Sequence, residues 1–257
     1  MYYKELLRVL RALKNMAIVY VVIDLVYAAF LIFANAQGHL QLPKPSDHVS
    51  LSLGALFAIC AFAALFPATA YGCSLAAEND GHLALAWTKP ASRVRYALTV
   101  MSVDAAGIVA AFALTFVLLL LPELGMVGVL RYLSAGPSVV LEAIRHLAVP
   151  LAWFALCQAL TASLRCNARM VAGVSVLPAI VLAMLAGAPL PGAWHQAFHA
   201  LGYINPLAYW AGFEVNGSGA SANDLMTFAL PVGDATLVAL VLIYAALAIV
   251  QWRRLEA

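Results

Sequence analysis

Six apolar runs, each close to the ~20 residues needed to cross a hydrocarbon core, constrain this chain more than any motif in it. They fall at about 15–34, 51–71, 96–121, 146–164, 170–186 and 234–251. Inside a bilayer no water satisfies backbone N–H and C=O groups, so each run must close its hydrogen bonds within itself as a helix. Composition agrees: 65% of the 257 residues are hydrophobic and only 10% are charged, against roughly 25% charged in a soluble domain. Mean hydropathy is +0.93. The expected fold class is all-α, a polytopic membrane protein with six transmembrane helices in a single transmembrane domain over residues 1–257.

The formal net charge of +2 is too small to imply nucleic acid, but the placement of the charges is informative. Lys4, Arg8, Arg11, Lys14, Lys89, Arg93, Arg95, Arg165, Arg169, Arg253 and Arg254 fall on one side of the six-run plan. Lys44, Arg131 and Arg145 fall on the other. Basic residues mark the cytoplasmic side. Both termini are therefore expected inside, and the alternation supports an even number of spans.

Ahead of the first run, Leu6, Leu7, Leu10 and Leu13 line one helical face, with Lys4, Arg8 and Arg11 mainly on the other. That pattern predicts an amphipathic interfacial helix over 2–13. Ala34-Asn35-Ala36 resembles a signal-peptidase site. The run before it exceeds the usual 7–15 residues of a signal peptide's apolar core, so a retained first helix is expected. The four cysteines, Cys60, Cys73, Cys157 and Cys166, have no CxxC spacing and read as small apolar residues.

Asp24 lies inside the first run and Asp104 inside the third. An aspartate at a span centre costs about 2.5–3.5 kcal/mol. The apolar residues around Asp24, at about −0.3 to −0.6 kcal/mol each, outweigh it. Each carboxyl must then face protein or water. Both are candidates for a translocation path, or for hydrogen-bonded carboxyls that fix helix packing.

Other patterns carry less. His195 and His199 have the i, i+4 spacing of a metal pair. Gln196 stands where HExxH has glutamate, however, and an interfacial amphipathic helix is the better reading. Gly173-Val174-Ser175 could belong to a membrane serine protease, but the sixth run holds no histidine to act as base. Asn216-Gly217-Ser218 fits a glycosylation acceptor and equally a plain exposed loop. Pro67, Pro150 and Pro178 lie in or near spans, where they remove backbone donors. Gly54/Ala58, Gly107/Ala111 and Ala183/Gly187 are small pairs that let helices approach closely. No GxxxxGK[ST] occurs, so an ATP site of that kind has to reside in another chain.

Three segments resemble a known family. Residues Glu78 to Arg93, ENDGHLALAWTKPASR, are similar to the "E…G…L…L…T…P…SR" segment between the second and third spans of type-2 ABC exporter permeases. Leu190-Pro191-Gly192 followed by Ile204-Asn205-Pro206-Leu207-Ala208-Tyr209-Trp210 resembles their external "LP…NPL.Y" stretch. Trp252-Arg253-Arg254 directly after the last run resembles their ending. The layout covers the whole chain, and the motifs about 40 residues of it.

The resemblance implies a cytoplasmic coupling segment over 73–95, with Glu78, Gly81, His82, Leu83, Leu85, Trp87, Pro90 and Arg93 engaging a separate ATPase subunit. Exposed apolar residues rimmed by charge, as in His82 to Thr88, fit a partner surface. It further implies short re-entrant helices in the external segment 187–233, with Asn205, Pro206 and Tyr209 as external gate candidates. Two ATPase subunits, each binding ATP and magnesium, and a second permease subunit, identical or not, would complete the complex in a bacterial inner membrane. This chain would hold no cofactor and no catalytic site. A different class of reading is a proton-coupled secondary transporter using Asp24 and Asp104, against which the lack of a detectable inverted repeat weighs mildly.

Overall fold

The computed structural model describes residues 2–37, 51–74, 93–127, 133–134, 139–163, 177–182, 184–185, 191–209 and 233–254. These are helical but for one two-residue bridge and a few turn residues. We label the longer helices α1 (Tyr2–Ala36), α2 (Leu53–Gly72), α3 (Arg93–Val127), α4 (Val139–Ser163), α5 (Ala193–Gly202) and α6 (Gly233–Arg254). Residues 177–182 and 184–185 are also helical, and Pro206–Tyr209 forms a 3₁₀ turn. β1 (Leu51–Ser52) pairs in parallel with β2 (Leu133–Ser134), tying the start of α2 to the α3–α4 connection.

Three helices are long and apolar enough to cross a membrane: Val94–Leu120 in α3, Val139–Thr161 in α4 and Ala235–Arg253 in α6. Leu56–Gly72 in α2 is a shorter apolar helix. Their outward faces carry large apolar side chains such as Phe62, Phe66, Val117, Leu160, Leu242 and Ile243. An exposed apolar surface of that extent suits a lipid surround rather than water.

Side-chain contacts fix the relative directions of the helices. Arg8 meets Asp104 and Tyr20 meets Thr115, so α1 and α3 run parallel. Phe57 stacks on Phe112 and Phe116, whereas Tyr71 closes on Gly107, so α2 runs against α3. Phe57 lies against His146 while Gln158 reaches Tyr71, so α4 runs with α2. Trp252 packs on Ala97 and Val100, and Leu237 packs beside Ala148, so α6 runs with α4. The chain's first turns, the end of α2, the start of α3, the end of α4 and the end of α6 thus share one end of the bundle. α2 lies between α3 and α4, α6 packs on α4 and touches α3, and α1 lies along α3.

The main core gathers Phe57, Ile108, Phe112, Trp153 and Phe154 with a series of small residues of α2, Cys60, Ala61, Ala64 and Ala68. Small side chains there let α3 and α4 close on α2 from both sides. Gly107 and Ala111, the small pair noted in the sequence, are both buried on α3. At Gly107 a Cβ would meet Val9 Cγ1 at 2.8 Å and the Tyr71 ring at 3.2 Å, so glycine is what admits α1 and α2 together.

Element boundaries differ from the expected ones in three places. The interfacial helix expected over 2–13 and the span expected from 15 are one unbroken 35-residue helix. No glycine or proline lies between Tyr2 and Ala36, so nothing in the backbone breaks it at Lys14-Asn15. α4 begins at Val139, seven residues before His146, the expected start of the fourth run. His146 is buried, and its Nδ1 lies 2.7 Å from the Glu142 carbonyl one turn earlier. The Trp252-Arg253-Arg254 ending is the last turn of α6.

Candidate functional site

Of the segment expected to engage an ATPase, Glu78, Gly81, His82, Leu83, Leu85, Trp87 and Pro90 lie outside the described residues. Arg93 is the first residue of α3. The helices flanking that segment are defined: the end of α2 and the start of α3 lie at the same end of the bundle as the first turns of α1.

At that end three charged groups meet. Asp104 on α3 is fully buried, and its Oδ1 accepts a 2.5 Å bond from Arg8 Nη2 on α1. The same Arg8 nitrogen lies 3.0 Å from Glu5 Oε2, one turn earlier on α1. Glu5 is 2% exposed, whereas the Arg8 side chain keeps 29% of its surface. The Arg8 guanidinium also lies 5.6 Å from the centroid of the Tyr71 ring on α2, within cation–π range. One arginine therefore joins α1, α2 and α3. Arg8 Nε and the Tyr71 hydroxyl have no hydrogen-bond partner among the described residues.

The last turn of α2 is held by α4. A helix C-terminus leaves carbonyls without intrahelical donors. Gln158 Nε2 donates to the Tyr71 carbonyl at 3.0 Å, and Thr161 Oγ1 donates to the Gly72 carbonyl at 3.1 Å. Deeper in the bundle, Trp153 Nε1 donates to Thr69 Oγ1 at 2.8 Å. Gly72 sits against Cys157 and the Phe154 carbonyl so closely that a Cβ would overlap Cys157 Cβ. Cys60, Cys73 and Cys157 are buried free thiols.

The three external gate candidates form one cluster at the opposite end of the bundle. Asn205 Nδ2 donates to the Ala179 carbonyl at 2.7 Å, and its Oδ1 accepts from the Leu207 amide at 3.1 Å. Asn205 thus starts the Pro206–Tyr209 turn and ties it to the helical residues around 179. The Tyr209 hydroxyl donates to the Tyr203 carbonyl at 2.9 Å, and the Tyr244 hydroxyl of α6 donates to the Ile204 carbonyl. Tyr209 packs with Ala148, Leu237 and Leu240. Burial holds its hydroxyl above the ordinary value of 10.0, so it acts as a neutral donor. The expected turn at Asn205-Pro206 is present, between α5 and the 3₁₀ turn.

Asp24 is placed apart from Asp104. It lies sixteen residues beyond Arg8 on α1, roughly 24 Å along the axis at 1.5 Å per residue. The two carboxylates therefore do not form one site. His195 and His199 lie on α5, with their side chains outside the described part. Among the described residues no three His, Cys, Asp or Glu side chains are grouped as metal ligands would be.

No protein-family model matches the chain, and no curated protein matches it either.

The residues that the sequence left unnoticed are Glu5, Arg8, Tyr71, Gln158 and Thr161. Gln158 carried a signal, since a polar side chain in an apolar run needs a partner. Arg8 carried none of its own, because it looked like one more cation on the polar face of an interfacial helix.

Proposed function

We propose that this chain is the permease subunit of an ATP-driven ABC exporter in a bacterial inner membrane. In this reading six helices span the bilayer with both termini inside, and the residues around α5 form re-entrant helices on the outside. Two ATPase subunits bind beneath a pair of permease subunits. Their ATP-driven closure moves the 73–95 segment and α1, switching the bundle from inward-open to outward-open. ATP supplies the energy by binding the closed state better than the open one. The cargo is a drug, an antimicrobial peptide, a lipid or a similar molecule.

The observation that carries this reading is the concentration of basic residues and of the coupling-like motif at one end of the bundle. The 73–95 segment leaves α2 and enters α3 beside the Arg8–Asp104–Tyr71 junction. A push on that segment has a direct mechanical route to α1, α2 and α3 together. Glu78, Leu83, Trp87 and Arg93 then serve as the contact with the ATPase, and Asn205, Pro206 and Tyr209 as the outer closure.

The rival reading, a proton carrier using Asp24 and Asp104, is weakened by the geometry. Asp104 is committed to Arg8, and Asp24 is about sixteen helical residues away from that pair.

Co-purification of the tagged chain in mild detergent tests the proposal. A stoichiometric partner bearing a P-loop is the expected result. Deletion of residues 82–88 should abolish that association and transport while insertion survives. Transport by the purified chain alone in liposomes, driven by a pH gradient, would overturn it.

A further inference from the structure

The Arg8–Asp104 junction fixes which way the first four turns of α1 face. Glu5 and Val9 point into the bundle, and Val9 fits the space left by Gly107. Because α1 is unbroken to Ala36, these turns cannot swing independently of the helix above them. Lys4, Arg11 and Lys14 are consequently left exposed on the outer side. Lys4 and Arg11 are seven residues apart, which at 3.6 residues per turn places them within about 20° of each other, with Lys14 on the flank. Among the described residues none of the three meets an acidic side chain, since Glu5 is taken by Arg8. Beside this cationic strip, Tyr3, Leu6 and Leu10 are 74%, 48% and 50% exposed.

The level of the strip along the bundle decides what it can face. Arg8 is level with Asp104 and Val9 with Gly107. Trp252, in the last turn of α6, is level with Ala97 and Val100. Tryptophan at a helix end marks the headgroup level. Arg11 and Lys14 therefore lie several residues deeper than that marker, roughly 10 Å or more at 1.5 Å per residue. Uncompensated cations at that depth are expensive against acyl chains and favourable against phosphate.

We infer that Lys4, Arg11 and Lys14 form a binding strip for the headgroup phosphate of an anionic phospholipid, with the acyl chains lying over Tyr3, Leu6 and Leu10. Three cations beside an apolar strip match an amphiphile with a charged head better than a soluble anion, which would gain nothing from the leucines. This goes beyond the exporter reading and needs only that the chain sits in a bilayer.

The test uses the full-length protein in phosphatidylcholine vesicles containing a trace of spin-labelled phosphatidylglycerol or, in parallel, spin-labelled phosphatidylcholine. The motionally restricted fraction should favour phosphatidylglycerol several-fold, and raised salt should erode that preference. The triple variant K4Q/R11Q/K14Q should lose it, at about fivefold in association per charge near an anionic surface. The charge-retaining K4R/R11K/K14R should keep it, which separates charge from any effect on folding. Equal restriction of the two lipids by the wild-type protein, or unchanged preference in the triple glutamine variant, would overturn the inference. So would displacement of phosphatidylglycerol by millimolar inorganic phosphate, which would identify a phosphate site instead. None of these results depends on an ATPase partner, so co-purification tests the exporter reading separately.

Discussion

Arg8 and Asp104, 96 residues apart in the chain, share a 2.5 Å charge-assisted hydrogen bond that pins α1 to α3. The pair is unequal. Asp104 is fully buried, while Arg8 keeps 29% side-chain exposure and can turn toward solvent. Arg8→Gln therefore leaves a buried carboxylate without its ion-pair partner, a change expected to cost toward the lower end of about 3–5 kcal/mol. Asp104→Asn removes one charge-assisted bond and should cost about 1.5–3 kcal/mol. The double variant should recover part of the sum. Unfolding midpoints in mixed detergent give the cycle, and simple additivity would show that the pair is not coupled.

Gly72 and Gly107 support a second prediction, a ranking. At Gly72 an added Cβ would overlap Cys157 Cβ and press on the Phe154 carbonyl at 3.3 Å, atoms close to or in the backbone of α4. At Gly107 it would meet the flexible end of Val9 and the edge of Tyr71. Overpacking of this kind costs about 1–3 kcal/mol. Gly72→Ala should be the more damaging, and Val9→Ala should rescue Gly107→Ala but leave Gly72→Ala unchanged. The same unfolding measurement checks both.

How much of this was legible beforehand follows from what is local. Helical character and the approximate positions of spans are written in contiguous apolar runs, so α3, α4 and α6 were visible. Contacts between distant segments leave no such trace: nothing near Arg8 marks Asp104 as its partner. The break expected at Lys14-Asn15 rested on polarity, yet polarity alone does not stop a helix that lacks glycine and proline. The early start of α4 was masked by Glu142 and Arg145, whose charges hid the helix continuing through them. Gly136-Pro137-Ser138 just before Val139 was the available start signal.

Gln158 and Thr161 hold the two carbonyls that end α2. Gln158→Leu keeps the bulk but removes the donor, and should cost about 1–3 kcal/mol for a buried acceptor left unsatisfied. Thr161→Val should add a smaller loss, about 0.5–1.5 kcal/mol for a hydrogen bond in a membrane protein. The end of α2 leads into the 73–95 segment, so both variants should also raise amide exchange at residues 69–74. Unchanged exchange there would show that α4 does not cap α2.

Asn205 makes two bonds that Tyr209 does not share, to the Ala179 carbonyl and the Leu207 amide. Asn205→Asp keeps the acceptor toward Leu207 and loses the donor toward Ala179, whereas Asn205→Ala loses both. The expected order of stability is wild type, then Asp, then Ala, with about 0.5–1.5 kcal/mol per bond. Tyr209→Phe should lose one such increment. If the cluster closes the outer end of a path, Asn205→Ala should additionally raise access of a hydrophilic maleimide to a cysteine placed at Leu240. Equal labelling would remove the gating role and leave a structural one.

The unbroken course of α1 carries the last prediction. At 35 residues it is roughly 52 Å long at 1.5 Å per residue, more than the ~30 Å hydrocarbon core. It runs parallel to α3, in contact from Arg8–Asp104 to Tyr20–Thr115. α3 is itself long and apolar enough to cross. Beyond that contact α1 exposes Val21, Val22, Leu25, Val26, Phe30 and Phe33, a surface suited to lipid. A helix so placed has its two ends in different aqueous compartments. With the native cysteines replaced, Tyr3→Cys and Arg253→Cys should react with a membrane-impermeant maleimide only from the cytoplasmic side, and Gln37→Cys only from the other. Labelling of residues 3 and 37 from the same side would mean that α1 does not cross, and would take the proposed sidedness of the bundle with it.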